Sequence, residues 1–224
     1  MKTPVDPAVK GCDETRRQLL EAAGAVFAQT GFRRATVREI CRRAGANVAA
    51  VNYHFGGKKT LYSQVLVHAH RKALQKYPLL PGLGGEAPPE QKLRAFIHSL
   101  LLRIFDTGPG AWQGKLMSRE MIEPTTALGP LVEERLRPMA NQLLEIVAAI
   151  LGRPAGDERV RLCGLSVISQ CVFYHHCRPI VSRLFPNTLP ANAASVGRLA
   201  AHITDFSLAA MAHLSRSKSS KPRK

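Results

Sequence analysis

Between Thr36 and Leu61 the chain reads TVREICRRAGANVAAVNYHFGGKKTL. Its residue types suit binding rather than bond-making. Arg38, Arg42, Arg43, Lys58 and Lys59 stand around an eight-residue segment, Asn47 to His54, that carries no acid. A helix entering a phosphate-walled groove needs that combination, since an acidic side chain would be repelled from the walls. Asn52 can pair bidentately with adenine, while Val48, Ala49 and Ala50 suit contact with thymine methyls. Arg38 can reach guanine or a phosphate. Tyr53 and His54 can donate to phosphate oxygens, contacts that position a protein without reading sequence. Lys58 lies near a helix N-terminus, where backbone N–H groups also favour an anion.

A second constellation is Cys163, Cys171, His175, His176 and Cys177. Cys171 and His175 are four apart and share a helix face, which is metal-ligand spacing. Zinc wants three or four ligands, so a core thiol beside a partly buried histidine is the better reading, and no metal or cofactor is expected. A thiol redox switch is the alternative for these cysteines. A hydrolase built on Cys171 or Cys177 would need a Gly-rich turn, an oxyanion arrangement and an orienting acid; none stands at a recognisable spacing, so no catalytic residue is expected.

The elements that must position the first set are helices. Thr15–Thr30 places Leu19, Ala23, Val26 and Phe27 at helical spacing, and Gly31 ends the run. Thr36 with Glu39 reads as a capping box opening a helix that closes at Gly45. Asn47 is the N-cap of the next, which keeps Val51 and Phe55 inward and breaks at Gly56-Gly57. Two short helices joined by a glycine-containing turn describe a helix-turn-helix, whose second helix enters the major groove. The alternative is a three-helix corner with a solvated charged face.

Charge placement agrees with an anionic partner. Formal net charge is +16 over 224 residues. Residues 1–77 hold 14 Lys+Arg against 5 Asp+Glu, residues 78–214 hold 13 against 11, and the last ten add five more cations. No apolar leader is visible, and LLEIVAAIL is too short to cross a bilayer. That leaves no membrane partner expected, and five cysteines, an odd count in a chain this long, point to a reducing cytoplasm. A helix over 58–77 stops at Pro78, PLLPGLGGEAPP reads as a linker, and further helices follow at 90–107, 112–123, 128–151 with a kink at Pro138, 157–177 and 193–214. Small residues mark the last two: Gly164, Ser166 and Ser169, then Ala200, Ala201, Ala209 and Ala210. Such faces allow close approach to the same helices of a second chain, as a four-helix bundle. The basic end, SRSKSSKPRK, reads as disordered. The expected fold is all-α: a three-helix helix-turn-helix domain at 13–62, a larger helical domain at 63–214 and a tail at 215–224.

The stretch LLEAAGAVFAQTGFRRATVREICRRAGANVAAVNYHFGGKKTLY strongly resembles the DNA-binding domain of the TetR family of bacterial transcription regulators. Ala22-Ala23, Phe27, Gly31, Thr36, Ile40, Ala44-Gly45, Tyr53-His54-Phe55, Lys58 and Leu61 carry the likeness. It implies a homodimeric repressor on a double-stranded operator, with 47–54 as recognition helix. The implied base-facing set is Arg38, Val48, Ala49, Ala50 and Asn52; the implied phosphate set is Thr36, Tyr53, His54 and Lys58. The chain departs from the family at Val48, where a polar or basic residue is common, and at Asn52, where tyrosine is. The later segments around Ser118-Arg119-Glu120, Glu123-Pro124-Thr125, Arg137-Pro138 and Gln170–Tyr174 resemble the YbiH/CecR-like branch. That likeness implies a cavity for a small-molecule inducer, with Phe96, Leu100, Ile104, Trp112, Met117, Met121 and Phe173 as lining residues. The runner-up function is a non-specific architectural DNA binder that relies on the basic tail.

Overall fold

A computed structural model describes residues 7–106, 108 and 112–216, with side chains from Cys12 onward and Ala193 excepted. Among these residues every regular element is helical. In chain order they are α1 (Pro7–Arg34), α2 (Val37–Ala44), α3 (Ala49–Phe55), α4 (Lys58–Lys76), α5 (Pro89–Ile104), α6 (Trp112–Ile122), α7 (Leu128–Leu131), a π-helical turn (Val132–Leu136), α8 (Arg137–Leu151), α9 (Glu158–His176), α10 (Arg178–Leu184), a 3₁₀ turn (Ala193–Ser195) and α11 (Gly197–Arg216). Residues 217–224 of the basic end lie outside the described residues.

Local chemistry sets the boundaries. Gly31 has φ 79° and ψ 166°, a kink inside α1 at the position where the sequence stops the helix. The run expected as one kinked helix over 128–151 is α7, a π turn and α8. Pro138 has no N–H to give the preceding turn, and the extra residue of the π turn takes up the mismatch. The short α10 follows Cys177 with Pro179 in its first turn, an element the hydrophobic period did not mark.

The helices gather into two compact units. The first is Met1–Ala73 with Gly110–Arg135, and the second is Leu74–Pro109 with Leu136–Lys224. The first therefore contains α6 besides the helix-turn-helix. Its interior includes Leu19, Phe27, Ile40, Val51, Leu61 and Leu66, all fully buried. Phe27, Phe32 and Tyr62 form an aromatic group, with Phe27 and Tyr62 edge-to-face at 4.8 Å. The second unit is a bundle of α5, α8, α9 and α11 around Phe96, Ile97, Leu101, Val147, Val167 and Ile203.

Candidate nucleic-acid interface

α2 is held at both ends. Thr36 has extended backbone, and its hydroxyl accepts from the Glu39 N–H at 3.2 Å. Gly45, left-handed at φ 65°, closes the C-terminus. The capping box is half made. The Glu39 carboxylate turns outward and accepts from Arg42 at 2.8 Å and Arg43 at 2.7 Å. Those two guanidinium groups, Arg42 foremost, hold the Glu39 carboxyl at about 2.

α3 begins two residues after Asn47, whose side-chain oxygen accepts from the Ala49 N–H at 2.9 Å. The residue that caps α3 is therefore Val48, one later than the expected Asn47, and it gives no side-chain cap; Asn47 contributes a turn bond just before it. Val51 and Phe55 anchor α3 inward, each contributing roughly 1.5–3 kcal/mol of burial. Arg16 of α1 lies over the Phe55 ring at 5.3 Å and also bonds Gln64 of α4.

The opposite side of α3 faces solvent. Tyr53 is 80% exposed and Val48 49%, and Ala49 and Asn52 are exposed too. Thr36 and Arg38 of the α2 region are exposed as well, while Ala50, His54 and Lys58 are partly covered. All nine predicted nucleic-acid contacts therefore fall on α2, α3, the turn before each and the first turn of α4. Lys58 has a second occupation. Its ammonium donates to the Arg33 carbonyl at 3.2 Å and sits 4.8 Å from the centre of the Phe32 ring. Burial there pushes the Lys58 ammonium down from its ordinary value.

Sequence reasoning missed the clamp that α6 places on this unit. Glu120 is fully buried; it accepts from the Tyr62 hydroxyl at 2.7 Å, the Thr125 N–H at 2.8 Å and the Thr125 hydroxyl at 2.9 Å. Burial, then this carboxylate, pushes the Tyr62 phenol well up. Arg119 reaches the carbonyls of Ala28 and Gln29 at 3.4 and 3.5 Å and lies so close to Gly31 that a methyl there would press on it. A methyl on Gly24 would run into the Trp112 indole. The signal was Ser118-Arg119-Glu120, noticed as a pattern but without its partners.

The seven residues expected to line an inducer cavity divide between the units. Trp112, Met117 and Met121 belong to the first, with Met121 exposed. Phe96 and Leu100 are core residues of the second, Ile104 packs against that core, and Phe173 is 53% exposed. A groove of ≈350 Å³ on the second unit is lined by other residues, among them Pro81, Leu83, Arg94, His98 and Ala201.

The outward sides of α9 and α11 carry large apolar side chains among exposed Arg161, Ser166, Ser169, His202 and Asp205. Leu162, Leu165 and Phe173 are exposed on α9, and Phe206, Ala209 and Ala210 on α11. Gly164, expected on that small-residue face, turns inward, where a methyl would meet Leu144, and Ala200 is buried as well. Among the described residues no three of His, Cys, Asp and Glu converge as a metal site, and no helix is long and apolar enough to cross a membrane.

Two families match the chain. Residues 19–65 match the family described as bacterial regulatory proteins, tetR family. Residues 89–211 match the C-terminal domain of the HTH-type transcriptional dual regulator CecR. The dual regulator CecR of Shigella flexneri is 30% identical over 74% of this chain and 77% of its own. The transcriptional repressor NicS of Pseudomonas putida is 28% identical over 76% of this chain and 80% of its own. A solved chain from Pseudomonas aeruginosa PAO1, described as a candidate transcriptional regulator, shares the fold. Its TM-score is 0.67 at 18% identity, over 95% of this chain and 96% of that one.

Proposed function

Because the chain belongs to the tetR family of bacterial regulatory proteins and carries a CecR-type C-terminal domain, it is a DNA-binding transcription regulator, and we propose that it works as a homodimeric repressor, seated on a pseudo-palindromic operator and released by a small-molecule inducer. The observation that carries this reading is the exposed, acid-free side of α3, rigidly backed by Val51 and Phe55 and bordered by cations. On this reading 13–62 reads DNA, with Arg38, Val48, Ala49, Ala50 and Asn52 toward bases and Thr36, Tyr53, His54 and Lys58 toward phosphates. Residues 63–214 sense the ligand and dimerise, and the protein works in the cytoplasm.

The exposed apolar side chains of α9 and α11 support the dimer. Leu162, Leu165, Phe173 and Phe206 stand in open solvent in a single chain, and a two-fold copy of the same two helices would cover them. Two recognition helices would then sit roughly one DNA turn apart, about 34–36 Å, or somewhat more. The inducer acts by preferring an arrangement of the dimer whose recognition helices are misspaced for the groove. Its leverage equals its difference in affinity for the two arrangements.

Selection of bound sites from random DNA, with and without small-molecule extracts, tests the reading. A two-fold site that is lost when extract is added supports it. Equal binding to selected and random DNA gives the architectural reading instead. Asn52→Ala should relax base preference at one position of each half-site, and an unchanged preference removes Asn52 from the reading set. Lys58→Ala should weaken all sequences alike and lower the salt slope by about one. Leu165→Glu should leave a monomer in sedimentation and lose the selected site.

A further inference from the structure

In the second unit, Arg103 occupies the last turn of α5 and is mostly buried. Its Nε approaches the Ser99 carbonyl at 3.3 Å, and one terminal nitrogen approaches the Met139 sulfur of α8 at 3.3 Å. The other terminal nitrogen is closed off from solvent and has no hydrogen-bond partner among the described residues. A carbonyl oxygen and a thioether are poor company for a cation. Burying a charge without an opposite charge is costly, because the lost hydration is not replaced.

The acids of this unit are committed elsewhere or stand in solvent. Asp106 pairs with Lys76, Asp157 with Arg153 and Asp205 with Arg94. Glu86, Glu90, Glu145 and Glu158 are exposed. The fully buried Cys171 of α9 is close enough for Arg103 to feel electrostatically, yet burial pushes its thiol up to about 12, so no thiolate is available. Arg103 itself is lowered by burial to about 10 and stays cationic at neutral pH. Burial pushes the imidazole of His175, also on α9, down from its ordinary value.

We propose that Arg103 is the anchor of a ligand site among α5, α8 and α9, and that the ligand is a small organic monoanion, a carboxylate on an apolar body. The guanidinium fork matches a carboxylate bidentately, which would occupy the nitrogen that now has no acceptor. One buried cation balances one negative charge; a dianionic phosphate would bring a second charge with nothing to meet it. Met139, which touches the guanidinium, and the core it packs against are apolar, so the remainder of the ligand is apolar as well. The inference rests on the reading that the second unit senses a small molecule, and it gives that molecule a chemical class.

The test uses the full chain with sodium benzoate and sodium octanoate, each against its neutral amide, followed by calorimetry and thermal melting. At least one acid should bind and raise Tm while its amide does not. Arg103→Met should weaken that binding at least tenfold, roughly the loss of one charge-assisted contact. Should Arg103→Met fail to fold, Arg103→Lys, which keeps the charge and removes the fork, should weaken it by a smaller factor. Acid and amide binding alike, neither acid binding, equal binding by the variant, or the same response to sodium chloride would each overturn the proposal. Release of selected DNA is read in the same titration. An acid that binds through Arg103 without releasing DNA leaves the site standing and removes the inducer role. Release by an extract with no acid bound removes the site and leaves the repressor reading intact.

Discussion

Glu120 in the first unit and Arg103 in the second are both charged groups taken out of water, and they are treated in opposite ways. Three donors converge on Glu120 from Tyr62 and Thr125, which ties α6 to α4. Arg103 meets a carbonyl and a sulfur, with a nitrogen left over. A buried charge whose partners are all supplied by its own chain holds a structure together. A buried charge without them lowers stability until something else arrives. The contrast separates a strut from a binding group with no appeal to sequence likeness, and it can be broken by measurement.

The largest effect belongs to Glu120→Ala. It strips the acceptor from the buried Tyr62 hydroxyl and from the half-buried Thr125 N–H. Leaving such donors without an acceptor costs about 1–3 kcal/mol each. The single tryptophan, Trp112, lies on α6 itself, so its fluorescence in a urea titration reports this unit. A drop below about 1 kcal/mol, the worth of an ordinary exposed pair, would mean that Glu120 is no strut.

The second prediction has the opposite sign. Arg103→Met, without ligand, should stabilise the protein by about 1–4 kcal/mol, because a side chain of similar length replaces an unpartnered charge. Arg153 is the control in the same unit. It pairs with Asp157 at 3.1 Å near the surface, and Arg153→Met should cost about 0.2–1 kcal/mol. If both variants lose stability, Arg103 is as well partnered as Arg153 and the contrast fails.

What the sequence revealed follows the same division between local and distant partners. Thr36, Gly45, Asn47 and Gly56 act on neighbours within four positions, so the ends of α2 and α3 were legible. The exposed side of α3 followed from where Val51 and Phe55 must point. Glu120 bonds Tyr62 across 58 positions, and Arg119 reaches Ala28 across 91. No periodicity carries such pairings, which is why Trp112, Met117 and Met121 were grouped with Phe96 when contacts place α6 in the first unit. Glu39 misled in a different way. Its spacing from Thr36 suggested a reciprocal cap, but Arg42 and Arg43 compete for the same carboxylate and win with three contacts.

A smaller effect tests the local end of this scale. Thr36→Ala removes the hydroxyl that caps α2 and should cost about 1 kcal/mol. Thr36→Asp restores a cap oxygen. On the DNA reading it also sets a negative charge toward phosphate, so it should recover stability while losing operator affinity. If Asp recovers both, Thr36 does not face the backbone of DNA.

The smallest effect comes from Glu39, a charge with partners but in open solvent. Its folded value of about 2 lies below the ordinary carboxylate value of 4.5. A depressed carboxyl stabilises the fold above the unfolded value, and that contribution fades as pH falls from 4.5 toward 2. Screening by water keeps it slight, and added salt should weaken it further. A carbon-detected NMR titration of the Glu39 carboxyl should place its midpoint near the bottom of that window in the intact chain. Arg42→Ala should move the midpoint up, since Arg42 is the leading cause, with Arg43 retaining part of the depression. An unmoved midpoint would mean that solvent has dissolved the pair. The distance between a buried partnered charge and an exposed one would then be wider than this comparison allows.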